Sequence, residues 1–217
     1  MSNVDKNLGN QYPMTSVEEV SNTKDRILLE AIVMFAQKGY SAVSIRDIAA
    51  RVNIKSSSIY NHFSSKEALW DAILDHMKNL YLMYFERLEK SISLATNFEQ
   101  TLDYMFVELK DIVNIFTYYG FTLVQVEQYR DTKAYEIYSD IFLKYSINYI
   151  KTKFDACIEK EWVKEFDTKT VSTFFMHSVL TGIMLRTHED LNHTLPYDVD
   201  EMYTTLQAFI LKAAKGE

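Results

Sequence analysis

Five glycines and two prolines among 217 residues leave this chain very little punctuation. An all-β chain or a nucleotide-binding α/β chain spends such residues on its many turns, so their scarcity points to long helices with few breaks. At 47% hydrophobic residues there is enough apolar surface for a sizeable core. Nothing alternates at period two, and the expected fold class is all-α, with interruptions near Gly120 and across residues 188–198, "HEDLNHTLPYD".

No run approaches the roughly 18 apolar residues of a spanning helix, and the start "MSNVDKNLGNQYP" lacks a basic patch followed by an apolar stretch. A soluble, cytoplasmic protein with no membrane partner is expected. Cys157 stands alone, which rules out an intramolecular disulfide and a metal site built from several cysteines.

Residues 1–22 are polar and without sustained period and read as a mobile tail, although "SVEE" from Ser16 matches a capping box that would start a short helical lead-in. From Thr23 the pattern sharpens. Ile27, Leu28, Ala31, Ile32, Phe35 and Ala36 recur at helical spacing up to a Gly39 stop. Ser44 with Asp47 makes a reciprocal cap for a second helix whose Ile45, Ile48, Ala49 and Val52 share one face, and Asn53 tolerates the left-handed turn that ends it. A third, short helix begins near Lys55 and turns Ile59, Tyr60 and Phe63 inward, although Tyr60 also falls at the margin of its outer side. Two short helices across a tight turn form a helix-turn-helix. A cap at Ser64 with Glu67 is expected to open a long helix. Further caps are expected at Thr96 with Glu99, at Asp131 or Thr132, at Asp167 or Thr168, and at Asp198 with Glu201.

The net charge of −7 argues against a nucleic-acid partner until its placement is followed. Thr23 to Lys66 carries seven basic and three acidic residues, hence +4, whereas from Glu67 onward 15 basic and 24 acidic residues give −9. A small basic end on an acidic body is a two-partner pattern, with the basic end as the candidate for a polyanion. Ser56, Ser57 and Asn61 lie on the outer side of the third helix, where small polar side chains allow close approach to a major groove. Lys66, in the first turn of the next helix, opposes the macrodipole. Either a phosphate reverses that penalty or the ammonium is merely solvated.

The segment 23–74 contains, in order, "FAQKGY", "SIRDIA", "IYNHF" and "SKEAL", and it closely resembles the DNA-binding domain of the TetR/AcrR family of bacterial transcriptional regulators. The resemblance implies a three-helix DNA-binding domain at residues 23–70, joined to a larger helical domain at 71–217 that dimerises and holds a small ligand. By position it implies that Ser44 and Arg46 meet the backbone or a base edge. Lys55, Ser56, Ser57 and Asn61 would lie on the recognition helix, with Tyr60, His62 and Lys66 reaching phosphates. Bland readings stay open for some of these: the Tyr60 ring packing between helices, His62 bonding within the domain, Arg46 paired with Asp47 or Asp25. The chain departs from the family at Asn53, Lys55 and Ser57, where glycine, serine or threonine, and glycine are common. Lys55 thereby forfeits a capping oxygen.

Beyond about Lys78 the resemblance is one of layout. Aromatics are dense there, and most serve as core. Phe106, Phe116, Phe121, Phe142, Tyr145 and Tyr149 are candidates for the rigid walls of a cavity, with Gln125, Tyr145 and His177 as the polar groups that orient a ligand. An apolar or aromatic effector is the modest expectation. The last two long segments, Thr168 to Arg186 and Asp198 to Ala214, carry broad apolar faces, with Gly182 allowing close helix approach, and by family analogy they form a homodimer interface. The combined expectation is a ligand-responsive repressor that binds a palindromic operator as a homodimer.

Two other functions compete with this reading. An enzyme would need chemistry that the sequence does not spell: there is no glycine-rich phosphate loop, no "HExxH" and no "GxSxG", and no cofactor is expected. His188, Glu189, Asp190 and His193 could in principle ligate a metal, but such a cluster more often lies in a solvated loop. A helical protein–protein adaptor is the other rival, and steep salt dependence separates DNA binding from it.

Overall fold

The computed structural model describes residues 22–112, 115–190 and 198–216; at 109–112, 115, 116, 189 and 190 it describes the backbone only. Among these residues every regular element is helical. The tail, its "SVEE" motif, His193 and most of the "HEDLNHTLPYD" segment lie outside the described residues.

Helix α1 (Thr23–Lys38) starts where the Asn22 side chain accepts from the Lys24 amide, and it stops at Gly39, whose φ of 85° suits glycine. A 3-10 turn, Tyr40–Ala42, leads to α2 (Ile45–Val52), which is held by the reciprocal Ser44–Asp47 cap and ended by Asn53 at φ 59°, ψ 47°. Helix α3 is short, Ser56–Tyr60, and Lys55 supplies no side-chain cap to it. Ile27, Ile32, Ile48, Ile59, Leu69 and Ile73 are fully buried together, so α1, α2, α3 and the start of α4 (Lys66–Ile92) enclose one core. Arg26 donates to the Val52 carbonyl (3.3 Å), and Arg51 pairs with the buried Glu30 at 2.9 Å, tying α2 to α1.

Helix α4 is unbroken across residue 70, so the expected boundary between 70 and 71 falls inside a helix. Its cap is Ser65, whose hydroxyl accepts from the Ala68 amide (3.1 Å), rather than the expected Ser64. Residues 61–64 are used instead to bring Phe63 back into the core, where it is 4% exposed. Helix α5 (Phe98–Ile112) likewise starts one residue later than Thr96 would imply. Asn97 accepts from the Gln100 amide, while the Gln100 side chain, not Glu99, reaches back to the Thr96 amide and hydroxyl. The asparagine takes the cap because Phe98 must enter the core against Phe154 and Phe166.

Helix α6 (Ile115–Glu127) runs straight through Gly120, where a break was expected. The glycine serves close approach: a Cβ there would overlap the Met77 sulfur on α4 and stand 2.8 Å from its methyl. Helix α7 (Thr132–Glu136), capped by Asp131, continues into α8 (Ser146–Glu159) through wide π-helical turns at Ile137–Tyr145. In those turns the Ile141 carbonyl accepts from the Ser146 hydroxyl (3.0 Å), and the Phe142 carbonyl accepts from Tyr81 on α4 (3.3 Å). Side chains thus satisfy carbonyls that the irregular ladder uses poorly.

Helices α9 (Thr168–Asp190) and α10 (Val199–Lys215) pack on each other, and α9 also lies against α6 and α8. Asp198 caps α10 as expected, and Asp167 accepts from the Thr170 amide. Gly182 admits the Tyr203 ring, whose hydroxyl donates to the Val179 carbonyl at 3.2 Å. No described helix is long and apolar enough to cross a membrane.

Candidate nucleic-acid interface

The N-terminus of α2, the preceding 3-10 turn, the end of α3 and the start of α4 surround a cleft of about 500 Å³. Ser41 to Arg46, Tyr60 and Lys66 line it. The sequence brings these together because Gly39 turns the chain back sharply and the Ser44–Asp47 cap points the start of α2 outward. The Asp47 carboxylate accepts from the Ser44 amide (2.7 Å) and hydroxyl (2.6 Å), and these bonds hold it below its usual pKa. Ser44 is therefore committed to the cap, with its backbone at the rim.

Arg46 is exposed. Asp47 is engaged with Ser44, and among the described residues no ion pair joins Arg46 to Asp47 or Asp25. Tyr60 is 53% exposed, so its ring faces the cleft rather than packing between helices. Lys55, Ser57, Asn61 and His62, in and next to α3, are exposed, and Ser56 is half-buried. With Arg46 and Lys66 they give a polar, cationic face on which only Ile59 and Phe63 point inward.

Lys66 is neither free nor simply solvated. Its ammonium donates to the Tyr40 carbonyl at 2.5 Å and lies 4.1 Å from the centroid of the Tyr40 ring. Burial lowers its pKa, opposed by the charges of Glu67 and Glu127. The carbonyl and the ring offset the unfavourable end of the helix dipole without any external anion. The "KGY" triplet marked a helix stop in the sequence; that its tyrosine would hold the lysine had no local signal.

The proposed effector residues divide into separate groups. Phe121 stacks on Phe142 with centroids 4.6 Å apart, both fully buried, and Gln125 lies one turn on from Phe121 beside Tyr138. Tyr145 and Tyr149 stack on each other and close on Phe85 of α4, and the Tyr149 hydroxyl donates to Glu89 at 2.7 Å. Phe106 packs with Phe175 and Tyr203 instead. His177 was expected to converge with Gln125 and Tyr145, but it is exposed on α9 and its Nδ1 lies 2.8 Å from the Thr173 carbonyl, one turn back on the same helix. The helical register that buries Met176 and Leu180 turns it outward. The Phe116 side chain lies outside the described residues. No group of three or more metal-ligating side chains occurs among the described residues, and Glu189, Asp190 and His193 are not among those side chains.

Residues 27–73 match the family model "Bacterial regulatory proteins, tetR family". Over 79 residues the chain is 35% identical to the biofilm operon icaADBC HTH-type negative transcriptional regulator IcaR of Staphylococcus aureus (strain Newman), which covers 35% of this chain and 42% of that protein. The chain thus matches about two fifths of the length of these curated relatives. Whole-chain likeness appears among solved structures. The ketosteroid transcriptional regulator KstR2 of Mycobacterium tuberculosis superposes with a TM-score of 0.69 at 21% identity, covering 91% of this chain and 97% of that one. The fatty acid degradation regulator FadR from Bacillus halodurans gives 0.66 at 17% identity, covering 88% and 96%. At such identities the two structures establish a shared fold, an N-terminal helix-turn-helix joined to a larger helical domain. Residues 27–73 are thus similar to the helix-turn-helix segment of the TetR family of bacterial regulatory proteins, and the whole chain shares the fold of these two regulators.

Proposed function

We propose that the chain is a ligand-responsive transcriptional regulator that binds a palindromic operator as a homodimer and acts as a repressor. The observation that carries this reading is the convergence of Arg46, Tyr60 and Lys66 on one cleft beside the outward polar face of α3. Residues 23–70 would form the DNA-binding part and 71–217 the effector and dimerisation part, with the protein working in the cytoplasm. Two copies of α3 would enter successive major grooves about 34–36 Å apart. Repression is supported by the negative regulator to which the N-terminal segment is similar.

The exposed Phe174 on α9 (59%) and Phe209 on α10 (54%) support dimerisation through these two helices, since isolated large aromatics are otherwise better buried. The density of aromatic side chains, with Phe121 stacked on Phe142 and Tyr145 on Tyr149 and with Gln125 as a nearby polar group, is what supports an apolar or aromatic effector. Effector binding would shift the population toward a spacing of the two α3 helices that no longer fits the operator.

Selection of bound fragments from a random duplex library tests the reading, using the intact protein and an Arg46→Ala, Tyr60→Ala variant at low and high salt. Enrichment of a two-fold-symmetric site, lost in the variant and weakened steeply by salt, is expected. Failure to enrich any sequence at low salt would overturn it.

A further inference from the structure

The corner between α6 and α7 presses two carboxylates onto the DNA-binding end of the molecule. Glu127, the last residue of α6, is only 6% exposed, and its Oε1 accepts from the Tyr40 amide at 3.4 Å. Asp131 divides its two oxygens. Oδ1 caps α7 through the Ala134 amide (2.8 Å), and Oδ2 accepts from the Trp70 indole of α4 (3.2 Å). The amides of Arg130 and Asp131 both return to the Glu127 carbonyl, at 2.9 and 3.0 Å, so the corner is a tight unit in which neither acid moves alone.

These contacts meet at Tyr40. Its amide goes to α6, its carbonyl receives Lys66 of α4, and its ring touches Phe35 and Trp70 with centroids 5.2 Å away in each case. The next residue, Ser41, is already a wall of the cleft that Arg46, Tyr60 and Lys66 share. A buried carboxylate that accepts a backbone amide helps to fix that backbone, because little water is present to replace the contact. The position of the cleft wall is therefore set from two sides, by α4 and by the α6–α7 corner.

We infer that Glu127 and Asp131 form an acidic clasp through which the α6–α7 corner positions the Tyr40–Arg46 wall of the cleft, making both acids positioning residues for DNA binding although neither lines the cleft. This rests on the regulator reading above.

The test uses the full chain and the duplex enriched by the intact protein, in a Trp162→Phe background that leaves Trp70 as the remaining one of the two tryptophans. Asp131→Asn keeps a good helix cap but turns a donor toward the indole, and Glu127→Leu fills the buried site without a charge. The double variant is expected to bind the duplex about tenfold more weakly, with Trp70 emission shifted to the red and no longer responsive to duplex. Cys157→Ala, a buried change on α8 beside Thr101, controls for lost stability and is expected to bind within about twofold of the parent. Equal affinity of parent and double variant, with the red shift present, would overturn the clasp. So would an equal loss in Cys157→Ala. If the parent itself enriches no duplex, the regulator reading has failed and the clasp falls with it, a result visible without any variant.

Discussion

The Lys66 ammonium sits 2.5 Å from the Tyr40 carbonyl and 4.1 Å from the centroid of the same residue's ring, so one tyrosine satisfies the lysine through both its backbone and its side chain. A charged group in a hydrogen bond of this kind contributes more than a neutral one. Lys66→Met is expected to lower the unfolding free energy by about 1–3 kcal/mol, measured by urea denaturation. A merely solvated lysine would change it by no more than about 0.5 kcal/mol.

Gly182 faces the Tyr203 ring so closely that a Cβ would collide with the hydroxyl and stand 2.5 Å from Cζ. The ring cannot swing aside, because it is 8% exposed and its hydroxyl is held by the Val179 carbonyl. Gly182→Ala is expected to cost about 1–3 kcal/mol of stability. Tyr203→Leu in the same chain should recover part of that loss, and thermal melts of the single and double variants compare the two.

Asn53 ends α2 at φ 59°, a conformation that costs most residues about 1–2 kcal/mol. Asn53→Ala should therefore destabilise the helix-turn-helix while Asn53→Gly does not. Hydrogen exchange of the amides in α2 and α3 reads the difference directly.

His76, on α4, is held below its ordinary pKa of 6.5, first by burial, with the Asp25 charge acting in the opposite direction. Among the described residues its Nε2 has no hydrogen-bond partner. A depressed value means that the unfolded chain binds the proton more readily. The contribution to stability is thus intact above about pH 6.5 and is lost as pH falls from there through the folded value. The melting temperature should drop over that window, and the drop should be smaller in His76→Gln.

Much of the N-terminal end was legible because its determinants are local. The Ser44–Asp47 cap, the Asn53 turn and the inward Ile59 and Phe63 are all set by residues within a turn of each other. Caps at Ser65 and Asn97 were misread by one residue, since two adjacent polar residues can each serve and the burial of Phe63 and Phe98 decides between them. Gly120 looks like a break in the sequence because the side chain it answers to, Met77, lies on another helix, whereas the close helix approach expected at Gly182 is present and only its partner, Tyr203, had no local signal. The same holds for Glu127 and Asp131, whose partners Tyr40 and Trp70 are distant in the chain. His177 was misplaced because aromatic and polar composition alone does not fix the rotation of a helix that is apolar over most of its surface.

Helix α4 extends without interruption from Lys66 to Ile92, 27 residues. At 1.5 Å per residue that is a rod of about 40 Å. One of its ends carries a wall of the cleft and the other packs against α5, so the two regions share a beam and no hinge lies along it. Small rotations are magnified by such a length. Tilting the rod by about 5° about one end displaces the other by roughly 3–4 Å, close to the rise of one base pair. A rearrangement deep in the acidic body, too slight to disturb its own packing, would be enough to carry the basic end out of register with a groove.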